Sequence, residues 1–169
     1  MLRKPKLFII AGGLIGFLVA LGTAYNVLVF EISLPDQGGE IVYQDIASSK
    51  TKLCMRYIHS VERTPVQGWF ALDPQGGFLA LRTMSKGSGT GMPNVVHKSR
   101  VDMEPDWMVV DEGRTHIPQI PFYYLPLNNV HILFNKHKVD LSKVPPGSRL
   151  LITNENMPLA KALWNMLTL

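Results

Sequence analysis

The sequence predicts an all-β protein over residues 27–169, an antiparallel sandwich or barrel of about eight to ten short strands, with an N-terminal transmembrane helix before it and a short C-terminal helix after it. Three observations predict this. Apolar and polar residues alternate over short runs, the period of a strand with one buried face. Clusters of Gly, Pro, Asn and Asp separate those runs at the spacing of antiparallel all-β folds. A single run of twenty uncharged residues stands apart near the start of the chain.

Residues 1–6 are a basic start that holds Arg3, Lys4 and Lys6. Residues 7–26, LFIIAGGLIGFLVALGTAYN, follow without a charge. As a helix rising ~1.5 Å per residue, a run of that length covers the ~30 Å hydrocarbon core of a bilayer. Gly12, Gly13, Gly16 and Gly22 are tolerable there, because lipid gives a helix no reason to break its own hydrogen bonds. The basic cluster ahead of the run keeps the N-terminus in the cytoplasm. The expectation is a single-pass protein of the bacterial inner membrane, its main domain periplasmic. Gly22-Thr23-Ala24 also offers the small residues that a signal peptidase reads, so a cleaved leader is the alternative. Either way, residues 27–169 are exported.

The body then reads as strands in order. VLVFEISLP (27–35) and IVYQDI (41–46) flank DQGGE, where residues 36–39 can supply the positive φ of a hairpin turn. KLCMRYIHSVE (52–62) and VQGWFALD (66–73) come next, and the turn PQGG (74–77) joins the latter to FLALRTMS (78–85) as a second hairpin. KGSGTGMPNVVHKSRVDMEPD (86–106) reads as a long loop. DWMVVDEG (106–113), THIPQI (115–120), NVHILFN (129–135), the shorter HKVDL (137–141) and SRLLITNE (148–155) complete the strands. Over 157–168 the pattern turns helical, with Pro158 in the first turn, Asn156 as N-cap, and Leu159, Leu163, Met166 and Leu167 on one face. That helix is too short to span a bilayer. It can cap the sheet, lie on the membrane or meet a partner.

Charge excludes one class of partner. The net charge is +4, but three of the seventeen Lys and Arg lie before residue 7, and the remaining fourteen face thirteen Asp and Glu. No basic patch interleaved with aromatics accompanies them, so nucleic acid is not expected. Cys54 is the only cysteine, so no internal disulfide can form, and its strand-like surroundings suit a small buried thiol. The histidines at 59, 97, 116, 131 and 137 show no metal-ligand spacing, and neither a metal nor a cofactor is expected. IPQIPFYYLP (117–126) suits packing at the edge of the core, or a docking surface.

The polar stretch that calls for an explanation is YIHSVERTPVQGWF (57–70). If the strand continues to Glu62, His59 points with Tyr57 and Val61, while Ser60 points with Ile58 and Glu62. A base and a nucleophile placed so point apart, and IHSVE lacks the glycines of a nucleophile elbow. No catalytic residue is therefore assigned, and a hydrolase using His59 and Glu62 stays a minor alternative. The stretch also reads as a corner. Thr64 is forced extended by Pro65, and His59, Glu62 and Thr64 can satisfy backbone groups there. Tyr57, His59, Ser60, Glu62, Arg63, Thr64 and Pro65 are the binding or interface candidates. GSGTGMP (87–93) adds Gly89, Gly91 and Pro93, whose alternating glycines let amides converge on an anion. It has neither a Walker ending nor a βαβ setting, and a tight loop packed on the corner is the competing reading.

The pairing of these two motifs resembles a family of small exported bacterial proteins with a domain of unknown function, encoded beside TRAP transporters of the TAXI class. The matching positions are Tyr57, His59, Ser60, Val61, Thr64, Pro65 and Val66, then Gly89, Gly91 and Pro93. The resemblance is good over 27–95 and looser beyond. It implies a non-enzymatic periplasmic accessory protein that partners the transporter permease or its substrate-binding protein. In that family an acidic residue often stands two positions after the valine, where this chain has Gly68, so any such acid is missing here or supplied by Glu62. Residues alone leave a free-standing ligand-binding or structural module as the alternative.

Overall fold

NVLVFEISL forms β1 (Asn26–Leu34), whose Phe30 and Ile32 are fully buried. The computed structural model describes residues 22–86 and 100–169. The basic start and residues 7–21 of the expected anchor lie outside the described residues. Asn26, the last position of that run, already belongs to β1. No helix among the described residues is long and apolar enough to cross a membrane.

The chain turns at Pro35–Gln37 and at Gly38 and Gly39, both at positive φ, into β2 (Glu40–Ala47). β3 (Lys52–Ile58) and β4 (Pro65–Leu72) follow, and Gly76 and Gly77 turn β4 into β5 (Phe78–Ser85). Both hairpins lie where the turn residues predict them. β6 (Arg100–Glu104), β7 (Trp107–Ile117), β8 (Ile120–Tyr123), β9 (His131–Phe134), β10 (His137–Lys138) and β11 (Arg149–Pro158) complete eleven described strands, all antiparallel to their neighbours.

They form two sheets, β2-β1-β11-β8 and β10-β9-β3-β4-β5-β7-β6. One core lies between them. β1 and β11 send in Phe30, Ile32, Leu150 and Ile152, and β3, β5 and β9 answer with Leu53, Phe78, Ile132 and Phe134. Phe30 stacks on Phe134 with centroids 4.1 Å apart and meets Phe78 edge-on at 6.4 Å. Burial of each such side chain stabilises by about 1.5–3 kcal/mol, which makes this cluster the main apolar contribution to the fold. Asn154, fully buried on β11, ties the sheets together. Its side-chain amide donates to the carbonyls of Asp73 (3.0 Å) and Gly77 (2.8 Å), and its backbone carbonyl accepts from the Gly77 N–H at 2.7 Å.

Four expectations need correction. The strand expected over 52–62 stops at Ile58, because residues 59–64 close a turn. DWMVVDEG and THIPQI are one strand, β7, interrupted by a bulge. Ala80 faces Thr115 and Arg82 faces Asp111, so Leu81 alone opposes three residues, two of which, Gly113 and Arg114, have positive φ. The tail of the expected 86–106 loop is β6, RVDME, a five-residue strand whose Val101 and Met103 alternate with charged residues although all five are exposed. Cys54 is half-buried rather than buried, since the inward positions of β3 are Leu53 and Met55.

The C-terminal helix, α1, spans Leu159–Thr168 and packs on β1, β2 and β11. Its N-cap is Pro158, with no side-chain capping bond. Asn156 is still in β11, and its amide donates to the Pro74 carbonyl at 2.7 Å. Of the face expected from the spacing, Leu163, Met166 and Leu167 point away from the sheet. The small Ala162 is the buried residue, which lets the helix approach the sheet closely, whereas Leu163, Trp164, Met166 and Leu167 are exposed.

Candidate functional site

The His59 motif is a corner. β3 and β4 pair from Ile58↔Pro65 outward, so the intervening six residues must reverse the chain. The His59 N–H donates to the Thr64 carbonyl at 2.9 Å, and the Arg63 N–H to the His59 carbonyl at 2.8 Å. The Glu62 N–H donates to Nδ1 of His59 at 3.2 Å, so the imidazole caps the turn. Arg63 takes a left-handed φ of 52° to complete it. Ser60, Glu62 and Arg63 are exposed, and His59, Thr64 and Pro65 are half-buried. His59 and Ser60 are thus turn residues and not strand neighbours on opposite faces. The corner predicted from Thr64-Pro65 is present, with His59 as its polar anchor. Gly89, Gly91 and Pro93 lie outside the described residues. Among the described residues no three His, Cys, Asp or Glu side chains gather as metal ligands.

Tyr57 belongs to different surroundings. From β3 it points between the sheets, its ring edge-on to Phe122 at 5.2 Å, and burial raises its pKa. It lines a cavity of about 400 Å³. β4 and β5 contribute Gly68, Phe70, Ala80 and Thr83 to the walls, and β8 closes them with Ile120 and Phe122. The hollow exists because Gly68 and Ala80 are small where aromatics fill the core alongside. A Cβ on Gly68 would come within 3.0–3.1 Å of the Phe70 ring, so even alanine presses on the wall.

Glu112 brings the one carboxylate into this lining. It shares the inward face of β7 with Val110 and is only 8% exposed. The bulge that sets its position is itself tied down. Asp111 accepts the Gly113 N–H at 2.9 Å, and the Thr115 hydroxyl donates to the Glu112 carbonyl at 2.6 Å.

Residues 53–141 match the family model described as a domain of unknown function, DUF1850. The chain belongs to that family. No curated protein and no solved structure matches it. The DUF1850 segment starts in β3 and contains both the corner and every wall of the cavity, from Met55 to Phe122. The facing strands β1 and β11, with α1, lie outside it.

Sequence reasoning found Tyr57 and the corner but missed Glu112, Thr83 and Phe122. Glu62, one of the two alternatives for the acid absent at position 68, is exposed in the turn. The carboxylate that shares a cavity with Gly68 is Glu112. One signal for it stands in the sequence, a glutamate on the apolar face of WMVVDE, two residues after Val110. IPQIPFYYLP divides as its alternation allows, with Phe122 and Tyr124 packed inward and Tyr123 and Leu125 exposed.

Proposed function

We propose that this DUF1850 protein is an exported, membrane-anchored, non-catalytic accessory protein that partners a TAXI-type TRAP transporter, through its permease or its substrate-binding protein. The partner comes from the motif resemblance, and the anchor from the uncharged run at 7–26. The observation that carries the anchored reading is where the apolar surface lies. Leu163, Trp164 (69% exposed), Met166 and Leu167 (83% exposed) form the outer side of α1, with Tyr25 and Leu169 also exposed. The uncharged run reaches the domain at the same place. Gly22 abuts Ala160, the Leu159 N–H donates to the Tyr25 carbonyl at 2.8 Å, and Asn26 pairs with Pro158. A short helix presenting Leu, Met and Trp beside an emerging span suits the lipid interface.

The full chain in vesicles should float with lipid. Its fluorescence should be quenched by shallow brominated lipids, and Trp164→Phe should remove part of that quenching. A tagged copy purified gently from its native host should bring down a permease or a binding protein in stoichiometric amount, and deleting the gene should lower uptake of the cognate solute. Recovery of the chain alone together with unchanged uptake would sink the transporter reading. The cavity favours a second reading, a free-standing ligand-binding module. For it, calorimetry on the purified chain is the test.

A further inference from the structure

We infer that the cavity between the sheets binds a small organic cation, an apolar body carrying one ammonium group that pairs with Glu112. This goes beyond the accessory role and stands whether or not the chain meets a transporter.

The volume, about 400 Å³, lies within the range of small-molecule sites. The walls are mainly apolar and aromatic, with Met55, Tyr57, Val66, Phe70 and Phe122 around the space. Charge is the selective feature. Among the described residues the lining includes Glu112 but no Lys, Arg or His. No described residue gives the Glu112 carboxylate a hydrogen bond or an ion pair, although less than a tenth of the residue is exposed. Three exposed acids do have partners: Asp36 meets Arg149, Asp102 meets Arg100 and Glu104 meets Arg82. The least exposed of these four carboxylates is the one without a partner. Its oxygens are not sealed from solvent, so they meet water inside the cavity, and a cation that displaces that water takes over its contacts. Aromatic rings add to the attraction, since their faces draw ammonium groups and do not draw anions. Tyr57, Thr83 and Thr115 supply hydroxyls for the remaining ammonium donors. An anion would face a fixed negative charge with no cation among the described wall residues to offset it.

Three probes of one shape separate charge from fit: 2-phenylethylamine, 2-phenylethanol and 3-phenylpropionate. Each is titrated calorimetrically into the full chain in an uncharged maltoside detergent. The amine should bind at least roughly tenfold more tightly than the alcohol, with the propionate weakest. Glu112→Gln should bring the amine to the alcohol's affinity, while Thr83→Val keeps the amine preference. Equal binding of amine and alcohol to the native chain, or a preference for the propionate, overturns the cation assignment but leaves a binding cavity. No heat from any probe up to roughly 10 mM overturns the site altogether. Neither result bears on the pull-down or uptake tests of the accessory role.

Discussion

Around Phe30, the space between the sheets is filled by rings. Phe134 stacks on it at 4.1 Å, Phe78 and Tyr43 meet it edge-on, and each ring of the trio Phe30, Phe78 and Phe134 is at most 1% exposed. Along the same strands, on the far side of Phe70, the space stays open. There Gly68 and Ala80 stand at wall positions, and the inward residue of β7 is a glutamate instead of a valine. The filled half uses β1 and β11, which lie outside the DUF1850 segment, as one wall. The hollow half is walled entirely from within that segment. One half therefore secures the sheets to each other, and the other holds back atoms that folding alone would favour adding. A cavity beside a well-packed core implies that something other than stability set its residues.

The sharpest test of that contrast is a matched pair of truncations. Phe134→Ala should cost about 3–5 kcal/mol, the range for a fully buried ring that leaves a void. Phe70→Ala, at the border of the hollow, should cost about half as much, because its ring already faces open space on one side. Urea unfolding of both variants reads the difference. Equal losses would mean that the hollow half is packed like the filled one.

The tie between the halves comes next. Asn154→Ala removes two side-chain hydrogen bonds, to the carbonyls of Asp73 and Gly77, which keep the Gly76 and Asp73 N–H donors, and should cost about 1–2 kcal/mol. Gly77→Ala attacks the same junction from the other side. Its Cβ would lie 2.7 Å from the Ile117 carbonyl, at a φ of 75° that alanine resists. A loss of about 2 kcal/mol or more is expected. If Asn154→Ala proves neutral, the filled rings alone hold the sheets together.

These residues also show what the sequence could and could not disclose. Turn chemistry is local, so PQGG and DQGG marked their hairpins and Thr64-Pro65 marked the corner. The inward residues of β1, β3 and β11 alternate strictly, so those strands were legible too. β6 was not, because its two apolar residues, Val101 and Met103, alternate over only five positions at the end of a glycine-rich stretch. The bulge in β7 splits the alternation of WMVVDEGRTHI, which made one strand look like two. The setting of the apolar side of α1 stayed open, because periodicity shows that a helix has such a side but not what that side meets. Glu112 was missed for a related reason. A glutamate in a strand is usually solvated, and only the pairing of β7 with β5 shows that it points inward. His59 was noticed for its chemistry and proved to serve geometry.

The corner tests whether the rim of the hollow half matters to stability. His59→Ala removes the acceptor of the Glu62 N–H at a half-exposed site, where water can replace it, and should cost about 0.5–1 kcal/mol. Arg63→Gly relieves a left-handed φ and should return a similar amount. A much larger loss for His59→Ala, with the sheets still paired, would make the corner part of the core and not its edge.

The smallest effect compares two carboxylates. Glu112 has no partner among the described residues, whereas Glu31, on the outer face of β1, accepts a hydrogen bond from the Gln44 amide at 3.1 Å. Burial and the charge of Glu155 nevertheless raise the pKa of Glu31 above its ordinary 4.5, against the opposing pull of Gln44 and Lys161. The sign of its pH effect follows from that. Below pH 4.5 Glu31 is protonated in both folded and unfolded chains and carries no penalty. As the pH rises through the folded-state pKa, the folded chain must ionise it beside Glu155 after the unfolded chain has already let the proton go, so stability falls. Glu31→Gln should therefore leave the melting temperature unchanged at pH 4 and raise it by about 1–2 °C at pH 7, a modest gain because the group is only half-buried. Glu112→Gln, unlike Glu31→Gln, should weaken binding of the amine. If neither variant loses affinity, the hollow half has no more function than the outer face of β1.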